Sequence, residues 1–134
     1  MMGYSVEKRK CRRFEIPGGK AKFKKNGLLS VFMRFSKEYS ISNLSKGGLA
    51  FITEERFYPG DKLMIQLLAP NETPLTLRSR VLANGQPEDS AFELVSVEFM
   101  PFGSRRGWNR TESLDILRRL DEQYGKEEDR IRDW

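Results

Sequence analysis

Short stretches of alternating apolar and polar residues, cut by turn signals, constrain this chain most. In Lys20-Ala21-Lys22-Phe23-Lys24-Lys25 the apolar residues fall at every second position. On a pleated strand that puts them on one face and the lysines on the other. Asn26-Gly27 is a turn signal. Leu28 to Phe35 is apolar, with Val31, Met33 and Phe35 at alternate positions, and reads as a strand. Tyr39 and Ile41 alternate with Ser40 and Ser42, and a strand restarts at Gly48 and runs to Thr53. Pro59-Gly60-Asp61 is a turn before Lys62–Leu68, and Asn84-Gly85 is a turn between Leu75–Leu82 and Ala91–Phe99. Six or seven short strands of this kind predict an all-β domain, closed as an antiparallel barrel or folded as a sandwich.

The pattern changes after Gly107. Asn109-Arg110-Thr111-Glu112 has the form of a helix start, with a glutamate three residues after a capping side chain. Leu114, Leu117, Leu120 and Tyr124, with Ile116 beside them, form a stripe at helical spacing, and Gly125 is a stop. Such a stripe is expected to dock on the barrel or on a partner. The chain therefore divides into a basic arm (1–19), a barrel (20–107), a helix (108–125) and a charged tail (126–134) that ends in Trp134. The arm closes on Ile16-Pro17-Gly18-Gly19 and reads as mobile up to that turn.

Composition removes several function classes. The 134 residues suit one domain, and 38% hydrophobic content supplies one small core. The mean hydropathy of −0.61 is that of a soluble chain. No apolar run approaches the roughly 18 residues of a membrane span, so membrane insertion is not expected. The first residues lack the apolar stretch of a secretion signal, and Cys11, the one cysteine, has no internal disulfide partner. Both point to a cytoplasmic setting. Histidine is absent, which leaves no conventional zinc set and no Ser-His or Cys-His pair. No paired carboxylates stand out either, so no catalytic residue, metal or cofactor is assigned, and a non-enzyme is expected. A net charge of +5 and an isoelectric point near 9.5 favour anionic partners.

Two short motifs sharpen that preference. Arg9-Lys10-Cys11-Arg12-Arg13 holds two arginines four apart in the arm. A guanidinium is planar, always charged and forked; it can grip a phosphate, hold the O6/N7 edge of guanine or stack on a base. Asn43-Leu44-Ser45-Lys46-Gly47-Gly48 is a polar turn with the spacing Asn-x-Ser-x-x-Gly. Its short side chains bond close to the main chain, and its glycines permit positive φ and close approach of a ligand. Among 24 Lys and Arg an Arg-x-x-x-Arg is a common spacing, and the second motif alone is an ordinary turn. Their order on the two sides of a strand pattern joins them into a site for an anionic, guanine-bearing ligand.

With these residues in place the chain resembles a PilZ domain over roughly residues 7–124. The likeness rests on Arg9 and Arg13 followed by Phe14, on Asn43, Ser45 and Gly48 followed by Leu49, on Pro59-Gly60-Asp61, on Arg78-x-Arg80-Val81, on Val97-Glu98-Phe99 and on the final helix. The resemblance implies a small six- or seven-stranded antiparallel split barrel with a C-terminal helix, and a receptor for bis-(3′-5′)-cyclic dimeric GMP (cyclic di-GMP). It assigns Arg9 and Arg13 to the guanines and phosphates, and Asn43, Ser45 and Gly48 to the pocket wall. It carries no ligand contacts onto the late strand, where the run Glu93-Leu94-Val95-Ser96 replaces a glycine frequent in the family. A basic residue before the first arginine, here Lys8, goes in the family with two stacked ligands. Lys8, Arg9, Arg12 and Arg13 would together offset the four phosphate charges of such a pair.

The expected mechanism is ordering of the arm on the ligand, read by an unidentified output protein in trans. Two other readings stand beside it. One is a general RNA- or single-stranded-DNA-binding barrel that stacks bases on exposed aromatics. Most of the nine phenylalanines fall at inward strand positions, so specific nucleic-acid binding is not expected. The other is a PilZ-like adaptor that binds no nucleotide.

Overall fold

The computed structural model describes residues 13–27, 29–85 and 91–125. Six antiparallel strands, β1 (Lys20–Lys25), β2 (Tyr39–Leu44), β3 (Gly48–Thr53), β4 (Lys62–Leu68), β5 (Leu75–Gly85) and β6 (Glu93–Phe99), close into a barrel. Its order is β1-β2-β3-β6-β5-β4, and the helix α1 (Thr111–Tyr124) follows. Barrel, not sandwich, is thus the outcome of the strand pattern. Alternation holds where it was clearest: Ala21 and Phe23 are buried on β1, and Leu63, Ile65 and Leu67 on β4. Phe23 stacks on Tyr39 at 5.3 Å and meets the edge of Phe57 at 5.0 Å, while Phe51 lies 5.3 Å from Phe23. Leu117 and Leu120 of α1 join the same core. The helix is also tied to the β4–β5 loop, where Arg119 donates to Glu72 at 2.9 Å.

The segment from Leu29 to Phe35 is not a strand. It contains a 3₁₀ turn at Ser30–Phe32 and then extended chain that pairs with no neighbour as a strand. Its backbone bonds are local, Ser30 N–H to Gly27 O at 3.0 Å and Met33 N–H to Ser30 O at 3.1 Å. Lys24 seals the turn by donating to Ser30 O at 2.9 Å. Asn84-Gly85 is not the hairpin tip either. β5 runs through both residues, and the Asn84 amide donates to Phe57 O and to the Glu93 carboxylate.

Asn109 does not cap α1. Arg110 occupies the cap position and makes no side-chain cap bond. Asn109 is buried instead. It accepts from Arg78 N–H at 2.6 Å and donates to Arg78 O and Met100 O, both at 2.9 Å. These bonds splice the loop after β6 onto the start of β5.

The end of the arm is packed. Phe14 and Ile16 are buried, and Phe14 exchanges two 2.8 Å backbone bonds with Leu44. Pro17 and Gly18 (φ +77°) then reverse the chain, with Gly19 N–H bonded to Ile16 O at 2.9 Å. Proline first and a positive-φ glycine second is what a type II turn requires. Residues 13–19 are therefore part of the barrel wall, because two apolar side chains there have a core to enter. Lys8, Arg9, Cys11, Arg12 and the tail with Trp134 lie outside the described residues.

Candidate functional site

The cross-strand register builds a shallow floor on the outer face of the barrel. Asn43 pairs with Ala50, Ala50 with Ser96, and Ser96 with Ala83. Paired residues share a face, so these four side chains form one row across β2, β3, β6 and β5. All are small. Ala50 is only 5% exposed although it points away from the core cluster, which shows how deep the floor sits. The pairing shifts at two places along this row, between Ile41 and Asn43 on β2 and between Val81 and Ala83 on β5. A bulge sharpens the local twist and re-aims side chains. Here the two bulges flank the floor and set Asn43 and Leu82 at its margins.

The result is a cavity of about 340 Å³. Leu82 and Leu94 form its apolar side, and Arg13, Asn43, Ser45 and Glu98 its polar side. The Phe14–Leu44 bridge brings Arg13 here by fixing the residue next to it against β2. Among the described residues, neither the Arg13 guanidinium nor the Asn43 amide has a hydrogen-bond or ion-pair partner. Glu98 is matched by Arg80, whose Nε lies 3.0 Å from Glu98 Oε2 and whose Nη2 contacts the same oxygen. That pair removes the local negative charge, leaving Arg13 to set the sign of the cavity.

Of the residues singled out by the motifs, Arg13, Asn43, Ser45 and Gly48 are brought together around this cavity. Their roles differ. The Ser45 hydroxyl accepts from Gly47 N–H at 3.1 Å and Gly48 N–H at 3.2 Å, and lies 3.3 Å from Gly48 O. It holds the β2–β3 turn and is 8% exposed. Gly48 is there for closeness and not for a left-handed backbone, since neither Gly47 nor Gly48 has positive φ. A Cβ on Gly48 would lie 2.1 Å from Val97 O. The glycine lets β3 and β6 approach, so the turn is a structural frame, with Asn43 and Arg13 as its free polar groups.

The late strand, to which the sequence reading assigned no ligand contacts, also lines the cavity. Leu94, Ser96 and Glu98 point outward on β6 and line it, as do Leu82 and Ala83 on β5. The small outward residues Gly48, Ala50 and Ser96 were visible as every-second positions. The bulge at Leu82 that turns Ala83 outward, opposite Ser96, has no sequence signal. No group of three or more His, Cys, Asp or Glu is arranged around a metal-sized space among the described residues.

The chain is similar to known proteins. The PilZ domain family model matches residues 7–108. The Bacillus subtilis inhibitor of motility, MotI/DgrA, superposes with a TM-score of 0.57 at 13% identity, over 87% of this chain and 52% of that one. A tetrameric PilZ-domain protein from Xanthomonas campestris, self-assembled through a helical bundle, gives a TM-score of 0.47 at 20% identity, over 71% of this chain and 51% of its own. The chain thus spans about half the length of either structure. No curated protein matches significantly. A family model that covers most of the chain makes this chain a member of the PilZ domain family.

Proposed function

We propose that this PilZ domain is a cyclic di-GMP receptor, with the cavity on the β2–β3–β6–β5 face as its ligand site. One observation carries this reading: an arginine and an asparagine from two separate motifs line one cavity, and neither is spent on the fold. Arg13 supplies a forked cation for a phosphate or a guanine edge. Asn43 supplies a donor and an acceptor. The apolar side at Leu82 and Leu94 suits the flat face of a base. Lys8, Arg9 and Arg12 would complete the cationic side from the preceding residues, and Ser45 and Gly48 keep the turn in shape. Because Phe14 and Ile16 are already in the core, any ordering by the ligand is confined to residues up to 13. That ordering would be the signal passed to another protein or domain.

Phe14, Phe23, Phe51, Phe57 and Phe99 are buried, so few phenylalanines are left as stacking platforms for RNA. Calorimetric titration of the chain with cyclic di-GMP, GTP and a short RNA, side by side, tests the proposal. Saturable binding of the cyclic dinucleotide alone is the expected result. Equal heats from RNA would assign the site to nucleic acid, and no binding of any of the three would make the domain an adaptor.

A further inference from the structure

We infer that the loop between β1 and β2 is a shallow contact element for an anionic lipid bilayer. This surface is separate from the cavity and does not depend on what the cavity binds. Among the described residues the most exposed large apolar side chains are concentrated here: Leu29 is 65% exposed, Val31 76%, Phe32 81% and Met33 48%. Tyr58, 69% exposed, projects from the β3–β4 loop at the same end of the barrel. A cluster of this kind on a folded domain marks an interaction surface.

The tip is braced from within. Ser30 N–H bonds Gly27 O at 3.0 Å, Phe32 N–H bonds Leu29 O at 3.0 Å and Met33 N–H bonds Ser30 O. Lys24 Nζ donates to Ser30 O at 2.9 Å and lies 4.8 Å from the centre of the Phe35 ring. At the base of the loop, Ser36 N–H bonds Phe23 O at 2.8 Å, and the Ser36 hydroxyl accepts from Phe23 N–H at 3.0 Å. The N–H groups of Ser30, Phe32 and Met33 are thus paired inside the loop, which lowers the cost of resting the tip in the lipid interface.

Charge decides between possible occupants. From Gly18 to Lys37 the chain carries Lys20, Lys22, Lys24, Lys25, Arg34 and Lys37, and neither Asp nor Glu. Lys20 and Lys22 lie with Lys24 on the outward side of β1, opposite the buried Ala21 and Phe23. The neighbouring acids include Glu38, then Glu54 and Glu55 on the loop after β3, and Asp61 before β4; Lys37 neutralises Glu54 at 2.7 Å, and Asp61 accepts from Tyr58 N–H at 2.9 Å. Two copies of so cationic a surface repel each other. Protein interfaces are depleted in lysine, and here lysine predominates. An apolar tip inside a lysine-rich border fits anionic headgroups above a hydrocarbon boundary, where long cationic side chains keep their charge in the polar layer. The contact is peripheral: no helix among the described residues is long and apolar enough to cross a membrane.

Flotation with vesicles of about one-third phosphatidylglycerol in phosphatidylcholine, against pure phosphatidylcholine, is the test. The intact chain is expected to float with the anionic vesicles, to be released by about 0.5 M salt, and to stay off the neutral ones. The Val31→Ser/Phe32→Ser and Lys25→Gln/Arg34→Gln variants should each bind about tenfold more weakly or worse. Both change exposed positions, and their melting curves should match the parent. No binding of the parent to anionic vesicles, or undiminished binding of the Val31→Ser/Phe32→Ser variant, would overturn the proposal. So would a concentration-dependent dimer that the same variant abolishes, which would assign the tip to a second copy of the chain.

Discussion

At the scale of single residues, a short motif proves to mix two kinds of work. Asn43 and Arg13 face the cavity with unspent polar groups, while Ser45 and Gly48 are committed to the backbone around them. Stability measurements separate the two classes. Gly48→Ala forces a methyl group to within 2.1 Å of Val97 O unless the strands part. Overpacking of this kind costs about 1–3 kcal/mol. Ser45→Ala strands two backbone N–H groups in a half-buried turn, a loss of about 1 kcal/mol. Denaturant titration of both variants should show reduced stability with no ligand present. Unchanged midpoints would mean that the turn is not the frame described. The sequence shows the residue types at these positions but not this division, because side-chain bonding within a turn depends on where the two strands meet.

At the scale of elements, alternation was legible where both faces of a strand have a clear fate, as on β1 with its lysines outside and Ala21 and Phe23 inside. It misled at Leu29–Phe35, where Val31, Met33 and Phe35 alternate but the chain has no strand to pair with. The helix stripe was legible in Leu117 and Leu120, yet its start was not. Asn109 looks like a cap in sequence, and only the fold brings it to Arg78 and Met100. Truncating it takes the partner from Arg78 N–H and Met100 O, while Arg78 O keeps its 2.8 Å bond from Met100 N–H. Asn109→Ala should therefore destabilise the domain by about 2 kcal/mol or more, seen as an earlier midpoint in urea. A neutral substitution would show that water replaces those bonds. The arm makes a second test at this scale. Amide exchange in residues 7–13 should slow when cyclic di-GMP is added, while Phe14 and Ile16 stay protected throughout. Identical exchange with and without the nucleotide would remove arm ordering as the signal.

At the scale of the whole molecule, three surfaces occupy different parts of one small barrel. α1 packs near the loops after β4 and β6, the cavity lies on the side wall, and the apolar tip stands at the opposite end. That separation allows the cavity to be loaded without covering the tip. It also makes stoichiometry a question about the arm alone. If Lys8 helps to offset the charge of a second ligand, the intact chain binds two cyclic dinucleotides, and Lys8→Leu moves the count towards one. Titration at protein concentrations well above the dissociation constant reads that number directly, and a one-to-one endpoint for the unmodified chain would remove the role given to Lys8. The all-β class could be read from spacing, but barrel against sandwich could not, because alternation fixes the faces of strands and not how the sheet edges meet. The cavity could not, because it arises from two bulges and from a row of small residues contributed by four strands. The measurement that bears most directly on the cavity is calorimetry of the parent and of Arg13→Ala with cyclic di-GMP, paired with a melting curve for each. Loss of a bidentate contact should weaken binding by about 1–3 kcal/mol, roughly 5- to 150-fold, with unchanged melting because Arg13 is exposed. Equal affinity in the two proteins would contradict the assignment of this cavity as the nucleotide site.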